Sequence, residues 1–285
     1  MTLALNVSSV AALLGRHKYK SKDEARLELF KKRHAIAYYK CLRRLGHTFD
    51  KQEQVHRLWR HLKNDPTYTA LRDTAVQDDT KTNTIMQTLT ARVASLNPDD
   101  MDAQTLDLVK DDLKRELKSD IWRAKGTLRE KEGLDTYEQT HKTHINNRNA
   151  RLYIMPCTSP QGYTYTLRGM IDGYEPSTDT VVDMKNRANR MFKTLPDYER
   201  VQLCIYMEMV QASKAKLLQR YNGDVHTLAT LERDPKAWKD IKDQLDACVD
   251  AYMAFAKDLK AQDTFVRTHA VHTPPHTHVP KKRKI

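Results

Sequence analysis

Two short apolar runs that each close on charge constrain this chain more than anything else in it. Residues 163–172 and 178–186 are rich in Tyr, Thr, Val and Ile and read as strands, with Glu175-Pro176-Ser177-Thr178-Asp179 between them as turn chemistry. The first run closes on Gly169-Met170-Ile171-Asp172-Gly173, and eleven residues past that aspartate the second reaches Val181-Val182-Asp183-Met184-Lys185. Strand residues i and i+2 share a face, so Asp183 and Lys185 project together, and a hairpin joining the two runs would set Asp172 beside them. Two carboxylates at one spot repel unless a cation lies between them, and an oxygen-ligand pair suits Mg²⁺ with its retained waters. A lysine on the same face can orient or deprotonate a water held by such an ion; these are the parts for metal-assisted phosphodiester hydrolysis. The plainer reading is the solvated face of a hairpin carrying an ion pair. Against it, Val181-Val182 and Met170-Ile171 make both runs read as largely buried, and acids at the ends of buried strands are costly unless paired or metal-bound.

Around this pair most of the pattern is helical. Val10–Leu14 opens a helix, Gly15–Ser21 is a turn, and Ser21-Lys22-Asp23-Glu24 is a capping box leading into a helix to about Leu45. Residues 51–63, 66–77, Thr84–Val93 and Ala103–Lys118 have helical spacing, the last two separated by Asn97-Pro98. Lys118–Glu138 is a helix carrying Glu130, in which Gly126 and Gly133 permit close packing. Arg151–Pro156 is a strand. Pro196–Ala212 is amphipathic, with Val201, Ile205 and Met209 inward and Gln202 and Tyr206 along an adjoining stripe. Lys214–Tyr221 and Val225–Leu231 flank Asn222-Gly223, a hairpin signal, and Pro235–Leu259 closes as a helix with Trp238, Ile241, Leu245, Val249 and Met253 on one face.

A length of 285 residues suits one large domain or one domain with an embellishment. Lys and Arg number 49 against 37 Asp and Glu, a net +12 that favours polyanionic partners. Cys41, Cys157, Cys204 and Cys248 are scattered and read as reduced thiols, not as a disulfide framework or cluster ligands. No run approaches 18 apolar residues, and residues 1–14 lack a basic leading segment, so neither a membrane partner nor a secretory signal is expected. Arg187, Arg190 and Lys193, just after the Asp-x-Lys run, are placed to meet phosphates, a solvated basic loop being the alternative. Arg43, Arg44, Arg57, Arg60 and Lys63 form a second basic cluster, read either as one wall of a DNA groove or as a solvated face.

Gly-x-x-Asp-Gly followed by an apolar run into Asp-x-Lys resembles the core of the PD-(D/E)XK nuclease superfamily, with Asp172 as its first acid and Asp183-Met184-Lys185 as its (D/E)XK. Lys125-Gly126-Thr127-Leu128-Arg129-Glu130 is similar to the Gly-x-x-x-Glu helix of the lambda-exonuclease (YqaJ-like) branch, and Gln202 through Tyr206 to the Gln-x-x-x-Tyr pattern of RecB-related nucleases. Ser8 through Ser21 resembles the opening helix and turn of the same branch. The matches cover residues 7–21 and 125–220. The chain departs from the branch in the roughly hundred residues that separate the opening helix from Glu130, in Met170 where a phosphate-binding serine stands, and in having no arginine within residues 1–7.

The resemblance implies an α/β (α+β) fold, a PD-(D/E)XK restriction-endonuclease-like core with a mixed central sheet flanked by helices and an N-terminal helical embellishment. It divides the chain into opening helices over 1–39, a helical insertion over 40–120, a nuclease core over 121–262 and a basic tail over 263–285. It implies a Mg²⁺- or Mn²⁺-dependent deoxyribonuclease acting on linear duplex DNA in viral or phage-like recombination, replication or repair. The alternatives are a structure-specific endonuclease of the same fold or a catalytically silent DNA-binding relative. Glu130, Asp172, Asp183 and the Met184 carbonyl would hold the metal, with Lys185, Gln202 and Tyr206 completing the catalytic set. Ser8, Arg16, Arg168, Arg187, Arg190 and Lys193 would contact DNA, Arg16 and Arg168 standing in for the absent phosphate ligands. A duplex end or single strand, a single-strand annealing protein and further copies of the chain are the implied partners.

The C-terminal segment differs in composition. Thr268–Val279 holds His269, His272, His276 and His278 among prolines, and such a segment has too little apolar surface to order itself. Pro280-Lys281-Lys282-Arg283-Lys284 resembles a nuclear localisation signal, from which a nuclear protein is expected, the alternative being a basic tail adding unspecific DNA affinity.

Overall fold

Alternation along one strand sets the layers of this fold. The computed structural model describes residues 2–46, 50–96, 103–187 and 190–270. In chain order the elements begin with β1 (Leu3–Asn6), α1 (Val7–Leu13), α2 (Lys22–Arg33) and α3 (Ala35–Arg44). Then come α4 (Asp50–Lys63), α5 (Pro66–Gln77), α6 (Thr82–Ala94) and the 39-residue α7 (Ala103–His141). After these lie β2 (Tyr153–Thr158), β3 (Thr164–Gly169), β4 (Gly173–Glu175) and β5 (Thr180–Asn186). α8 (Asp197–Val210), β6 (Lys214–Tyr221), β7 (Asp224–Glu232), α9 (Pro235–Phe255) and α10 (Leu259–Ala270) complete the chain. In β5, Val181 joins the core on one face while Val182 and Met184 join another core on the opposite face. Both faces of the strand are therefore covered, α8 lying on one and the C-terminal half of α7 on the other, which accounts for a nearly unbroken apolar run.

The α/β class with mixed strand directions is as expected, the strands being divided between two sheets where one central sheet was expected. One has the order β1-β3-β2, with β1 parallel and β2 antiparallel to β3; the other is β4-β5-β6-β7, with only β5 and β6 parallel. Residues 163–172, expected as one strand, break after Gly169, and Met170–Asp172 carry the chain from the first sheet to the second. The partner of β5 is thus the three-residue β4, not β3. The Asn222-Gly223 hairpin appears as expected, both residues having positive φ, 52° and 92°. β1 had no signal of its own: four residues suffice because the register Leu3↔Tyr165 to Asn6↔Arg168 buries them on an edge of the first sheet.

Local chemistry fixes several helix ends. Ser21 and Glu24 close the reciprocal capping box ahead of α2. Asp65 caps α5, whose first residue is Pro66, and Asp234 caps α9 ahead of Pro235. The single helix expected to reach Leu45 is divided at His34 (φ −126°, ψ 46°) into α2 and α3. Conversely the two helices expected over 103–138 are one.

The insertion has a core of its own, in which Val55, Leu62, Tyr68, Leu89, Val93, Leu113 and Leu117 of α4–α7 pack together. Its boundary is later than 40, because Tyr38 and Cys41 of α3 belong to the main core. Part of its basic cluster is internal to the fold: Lys63 lies 3.1 Å from the buried Asp120, which also accepts hydrogen bonds from Tyr68 and Arg72, and Arg44 is paired bidentately with Asp263. The expected tail boundary at 263 falls inside α10, whose Val266 is buried in the main core beside Phe265. Residues 271–285, with the His272, His276 and His278 run and the Lys281–Lys284 basic cluster, lie outside the described residues.

Gly169 marks the tightest point of the crossing. A β carbon there would lie 2.6 Å from Tyr206 Cε1 and 3.0 Å from Val7 Cγ2. Gly169→Ala is expected to lower stability by about 1–3 kcal/mol through overpacking, read as a Tm lower by several degrees. An unchanged Tm would show that Tyr206 yields freely.

Candidate active site

The crossing between the sheets builds the site. β4 pairs with β5 only from Glu175↔Thr180 to Gly173↔Val182, so beyond Val182 that side of β5 has no strand partner. Asp172 takes the vacant place, its Oδ2 accepting the Met184 amide hydrogen at 2.7 Å. The N–H and C=O of one strand residue face the same side, so the Met184 carbonyl also opens toward Asp172.

Asp183 and Lys185 project from the opposite pleat, toward α8. Asp183 is 2% exposed, and Lys185 Nζ lies 2.7 Å from its Oδ2. Gln202 Nε2 donates to Asp183 Oδ1 at 3.3 Å and to the Tyr206 hydroxyl at 3.3 Å. The i, i+4 spacing on α8 therefore does join Gln202 to Tyr206, and the pair fixes one carboxylate oxygen of Asp183. The other oxygen has the ammonium as its ion-pair partner but no hydrogen bond of regular geometry, and it is fully buried.

Glu130 comes from the C-terminal half of α7, which is fastened to β5 and its neighbour. Asn186 Nδ2 donates to Gly126 O at 3.1 Å, Arg220 pairs with Glu132 at 2.9 Å, and Gly133 faces Met184, whose Cε would lie 2.9 Å from an added β carbon. Gly133 thus has the close-packing role expected of it, whereas Gly126 serves through its carbonyl. Glu130, half-buried between these fastenings, is within electrostatic reach of Asp183 and Lys185.

Burial and mutual repulsion dominate the protonation of this cluster. The Asp172 carboxyl is pushed up to about 8, first by burial and then by the charge of Asp183, with Glu130 adding to it and Lys185 opposing. Burial raises Glu130 as well, Lys185 opposing and Asp183 adding. Burial favours a neutral Lys185, but the charges of Asp183 and Asp172 outweigh it and hold the ammonium more firmly than usual. The Tyr206 hydroxyl is pushed up to about 12, by burial and then by Asp183, and stays protonated.

Three acids therefore share one lysine, whose ammonium is the ion-pair partner of the buried Asp183 Oδ2. An all-oxygen donor set short of positive charge fits a hard divalent cation such as Mg²⁺, and Asp172, Asp183 and Glu130 would hold it. Among the described residues no three acid, histidine or cysteine side chains have closed to metal-ligating spacing. The Lys185 ammonium occupies the place of counter-charge beside Asp183.

The expected DNA contacts divide into two groups. Arg187 is half-buried, bonded bidentately to Glu199 at 2.7 and 2.9 Å, with its guanidinium 4.0 Å from the Phe192 ring centroid. Arg16 is bonded bidentately to Asp197 at 2.7 and 2.8 Å. Both guanidinium groups are thus engaged within the fold, because the basic run faces carboxylates at the start of α8 that spacing alone does not reveal. Arg190 and Lys193 are exposed and make no ion pair among the described residues, Ser8 is exposed on α1, and Arg168 is half-buried with its Nε lacking a partner. The turn after α1 and the segment leading into α8 enclose a groove of about 690 Å³, lined among others by Arg16, His17, Tyr19, Arg190, Lys193 and Tyr198. Its aromatic walls were not anticipated; the sequence signal is Arg16-His17-Lys18-Tyr19-Lys20, where rings alternate with cations.

No protein-family model matches the chain, and no curated protein matches it. Solved structures similar in fold include a phage-related exonuclease from Haemophilus somnus 129PT, at 13% identity and a TM-score of 0.37, covering 94% of this chain and 97% of that one. The alkaline exonuclease LHK-Exo from Laribacter hongkongensis is 13% identical with a TM-score of 0.33, covering 64% of this chain and 92% of its own. The same exonuclease in complex with dAMP gives 11% identity and a TM-score of 0.34 over 64% and 91%. Likeness at this level leaves both the fold and the chemistry to the chain's own residues.

Proposed function

We propose that this chain is a divalent-metal-dependent DNA nuclease, acting on linear duplex DNA in the manner of a lambda-type exonuclease. The observation that carries the reading is the cluster at the sheet crossing, where the buried carboxyl groups of Asp172 and Asp183 and the half-buried Glu130 gather around a single lysine. Like-charged groups brought together at the ends of buried strands are retained where a ligand of opposite charge offsets them. A bound divalent ion would supply charge neutralisation at the scissile phosphate and an activated water.

The chain's own residues do the remainder. Asp172, by accepting the Met184 amide, keeps the Met184 carbonyl and its own carboxylate on one side of β5. Gln202, braced on Tyr206, orients Asp183. Lys185 presents a firmly held ammonium, a donor suited to phosphate oxygens or to orienting a water. Tyr206 packs against Gly169 and keeps bulk water away from the back of the cluster.

End-labelled linear duplex and covalently closed circular DNA, each with Mg²⁺ or with EDTA, test the proposal. Release of nucleotides from the linear substrate alone, abolished by EDTA, is the expected result. Cutting of the circle would favour an endonuclease of the same chemistry. A second reading, a catalytically silent DNA-binding relative, is favoured by the lack of three acids at ligating spacing among the described residues; it predicts binding without cleavage of either substrate.

A further inference from the structure

Glu130 stands on a stretch of α7 that no apolar core holds. Ile121 is the last α7 residue in the core of the insertion and Leu134 the first in the small core beneath β5, and none of the apolar side chains between them is buried. Gly126 and Gly133 lie in the same stretch, and glycine in a helix interior loses more backbone freedom than any other residue. The turn that carries Glu130 therefore takes its place from polar and backbone contacts.

Those contacts come along two lines. On the line of Gly126 and Gly133, two helical turns apart, the partner is β5: Asn186 donates to the Gly126 carbonyl and Met184 covers Gly133. On the line of Lys125 and Arg129, four residues apart, the partner is the turn between α5 and α6 of the insertion. Asp79 of that turn lies 2.5 Å from Lys125 Nζ, and its two oxygens accept from Arg129 at 2.5 and 2.6 Å. Lys125 is 2% exposed although its carboxylate partner faces solvent, and it also donates to the hydroxyl of buried Thr82 at the start of α6. The turn is shaped from within, Asp78 Oδ1 accepting the amide hydrogens of Thr80 at 2.9 Å and Lys81 at 3.3 Å.

Contacts along a single line would let a helix roll about it; a second line stops the roll. Glu130 adjoins the glycine line on the side away from Lys125, so a roll would carry its carboxylate toward or away from the sheet. An ammonium is costly to bury, and an apolar side chain at 125 would join α7 to α6 at less expense. What the ion pairs add is direction, because one acid bonded to two cations a turn apart fixes the helix both along and around its axis. We propose that Asp79, a residue of the insertion, is a positioning residue for the candidate active site, holding Lys125 and Arg129 so that α7 cannot roll and the Glu130 carboxylate stays at the cluster. The assignment deepens the nuclease reading, on which its effect on metal and cleavage rests, while the hold on α7 rests on these contacts alone.

Hydrogen exchange and Mn²⁺ calorimetry on the full chain test it, with Asp79→Asn, Arg129→Gln and Glu130→Gln. Asp79→Asn and Arg129→Gln are each expected to speed amide exchange over residues 126–132 by about tenfold through local opening, with exchange at Val109, Leu113 and Leu117 unchanged. Arg129→Gln keeps the buried Lys125 paired, so it provides the test if Asp79→Asn fails to fold. Both should weaken Mn²⁺ binding by about tenfold, the lower end of what loss of an orienting residue costs. Their agreement is diagnostic: one change removes an anion and the other a cation, so electrostatics alone would move affinity in opposite directions. In a Glu130→Gln background Asp79→Asn should have no further effect on Mn²⁺ affinity, whereas a merely structural role gives losses that add. Unchanged exchange over 126–132 in both variants, tighter Mn²⁺ binding by Arg129→Gln, or additive losses overturn the proposal. The two readings fail separately. A wild type that binds no Mn²⁺ and cuts no DNA overturns the nuclease, and exchange alone then decides whether Asp79 holds the turn; a wild type that binds and cuts, with both variants matching it, overturns the positioning role and leaves the nuclease standing.

Discussion

Asp183→Asn is expected to reduce divalent-ion-dependent DNA cleavage by at least about a thousandfold, equivalent to about 4 kcal/mol of transition-state stabilisation. The substitution keeps size and shape, and its amide oxygen can still accept the Gln202 hydrogen bond made at Oδ1. Loss of activity would therefore report lost charge at a buried position and not a lost fold. The same change relieves Asp172 and Glu130 of a like-charged neighbour but also removes the ion-pair partner of the Lys185 ammonium, so the fold is checked separately by thermal melts. The pH dependence follows from the sign of the Asp172 shift. Its folded value, about 8, lies above its ordinary 3.8, so between these the folded state keeps a proton that the unfolded state releases. That contribution is fully present below pH 4 and is lost as pH rises to about 8. The decline should be shallower in Asp183→Asn, where the carboxylate repulsion is reduced. Thermal melts in EDTA between pH 5 and 9 read the difference directly. Wild-type cleavage by Asp183→Asn would remove the acid from the site altogether.

The parts of this site legible in the sequence were those written in strand periodicity. The i, i+2 relation of Asp183 and Lys185 survives whatever β5 pairs with, and so does the i, i+4 relation of Gln202 and Tyr206 on α8. The approach of Asp172 was legible too, but for a different reason than the hairpin suggested. Apolar and aromatic residues stand on both sides of Gly169, Tyr165 and Leu167 before it and Met170 and Ile171 after it, so composition gives no sign that the strand ends there and the chain changes sheets. The signal lay in the glycine: only a residue without a side chain fits beneath Tyr206 and Val7.

Charge was the least legible quantity. Arg187 and Arg16 look alike in the sequence to Arg190, yet both are held by carboxylates at the start of α8, Glu199 and Asp197. Those partners stand 12 and 181 residues away, and nothing short of the fold tells a phosphate-facing arginine from a paired one. Lys63 is the same case, its ammonium directed to buried Asp120 across the insertion. The missed α10 has a related cause: Thr264-Phe265-Val266 sits close to a proline- and histidine-rich end, and two apolar residues seem too few to order a helix until α2, α3 and α9 supply the surface they cover.

Lys185→Ala is expected to lower cleavage by about a hundredfold to ten-thousandfold while leaving divalent-ion binding intact. The lysine is the one cation among three acids, and its pairing with Asp183 at 2.7 Å places it where an incoming ion would compete for the same oxygen. Removing it should therefore leave ion affinity equal or higher, whereas Asp172→Asn should weaken it by taking away an anionic ligand. Because Asp183 and Asp172 hold the ammonium protonated, its contribution is that of a donor and a positive charge, not of a base. A missing base can be replaced in part by hydroxide; a missing cation cannot. Raising the pH from 7.5 to 9.5 should accordingly leave the Lys185→Ala deficit in place, relative to wild type at the same pH. Isothermal calorimetry and the two-pH rate comparison test both halves. Ion binding lost in Lys185→Ala but kept in Asp172→Asn would exchange the two roles, and recovery of the rate at high pH would make the lysine a base.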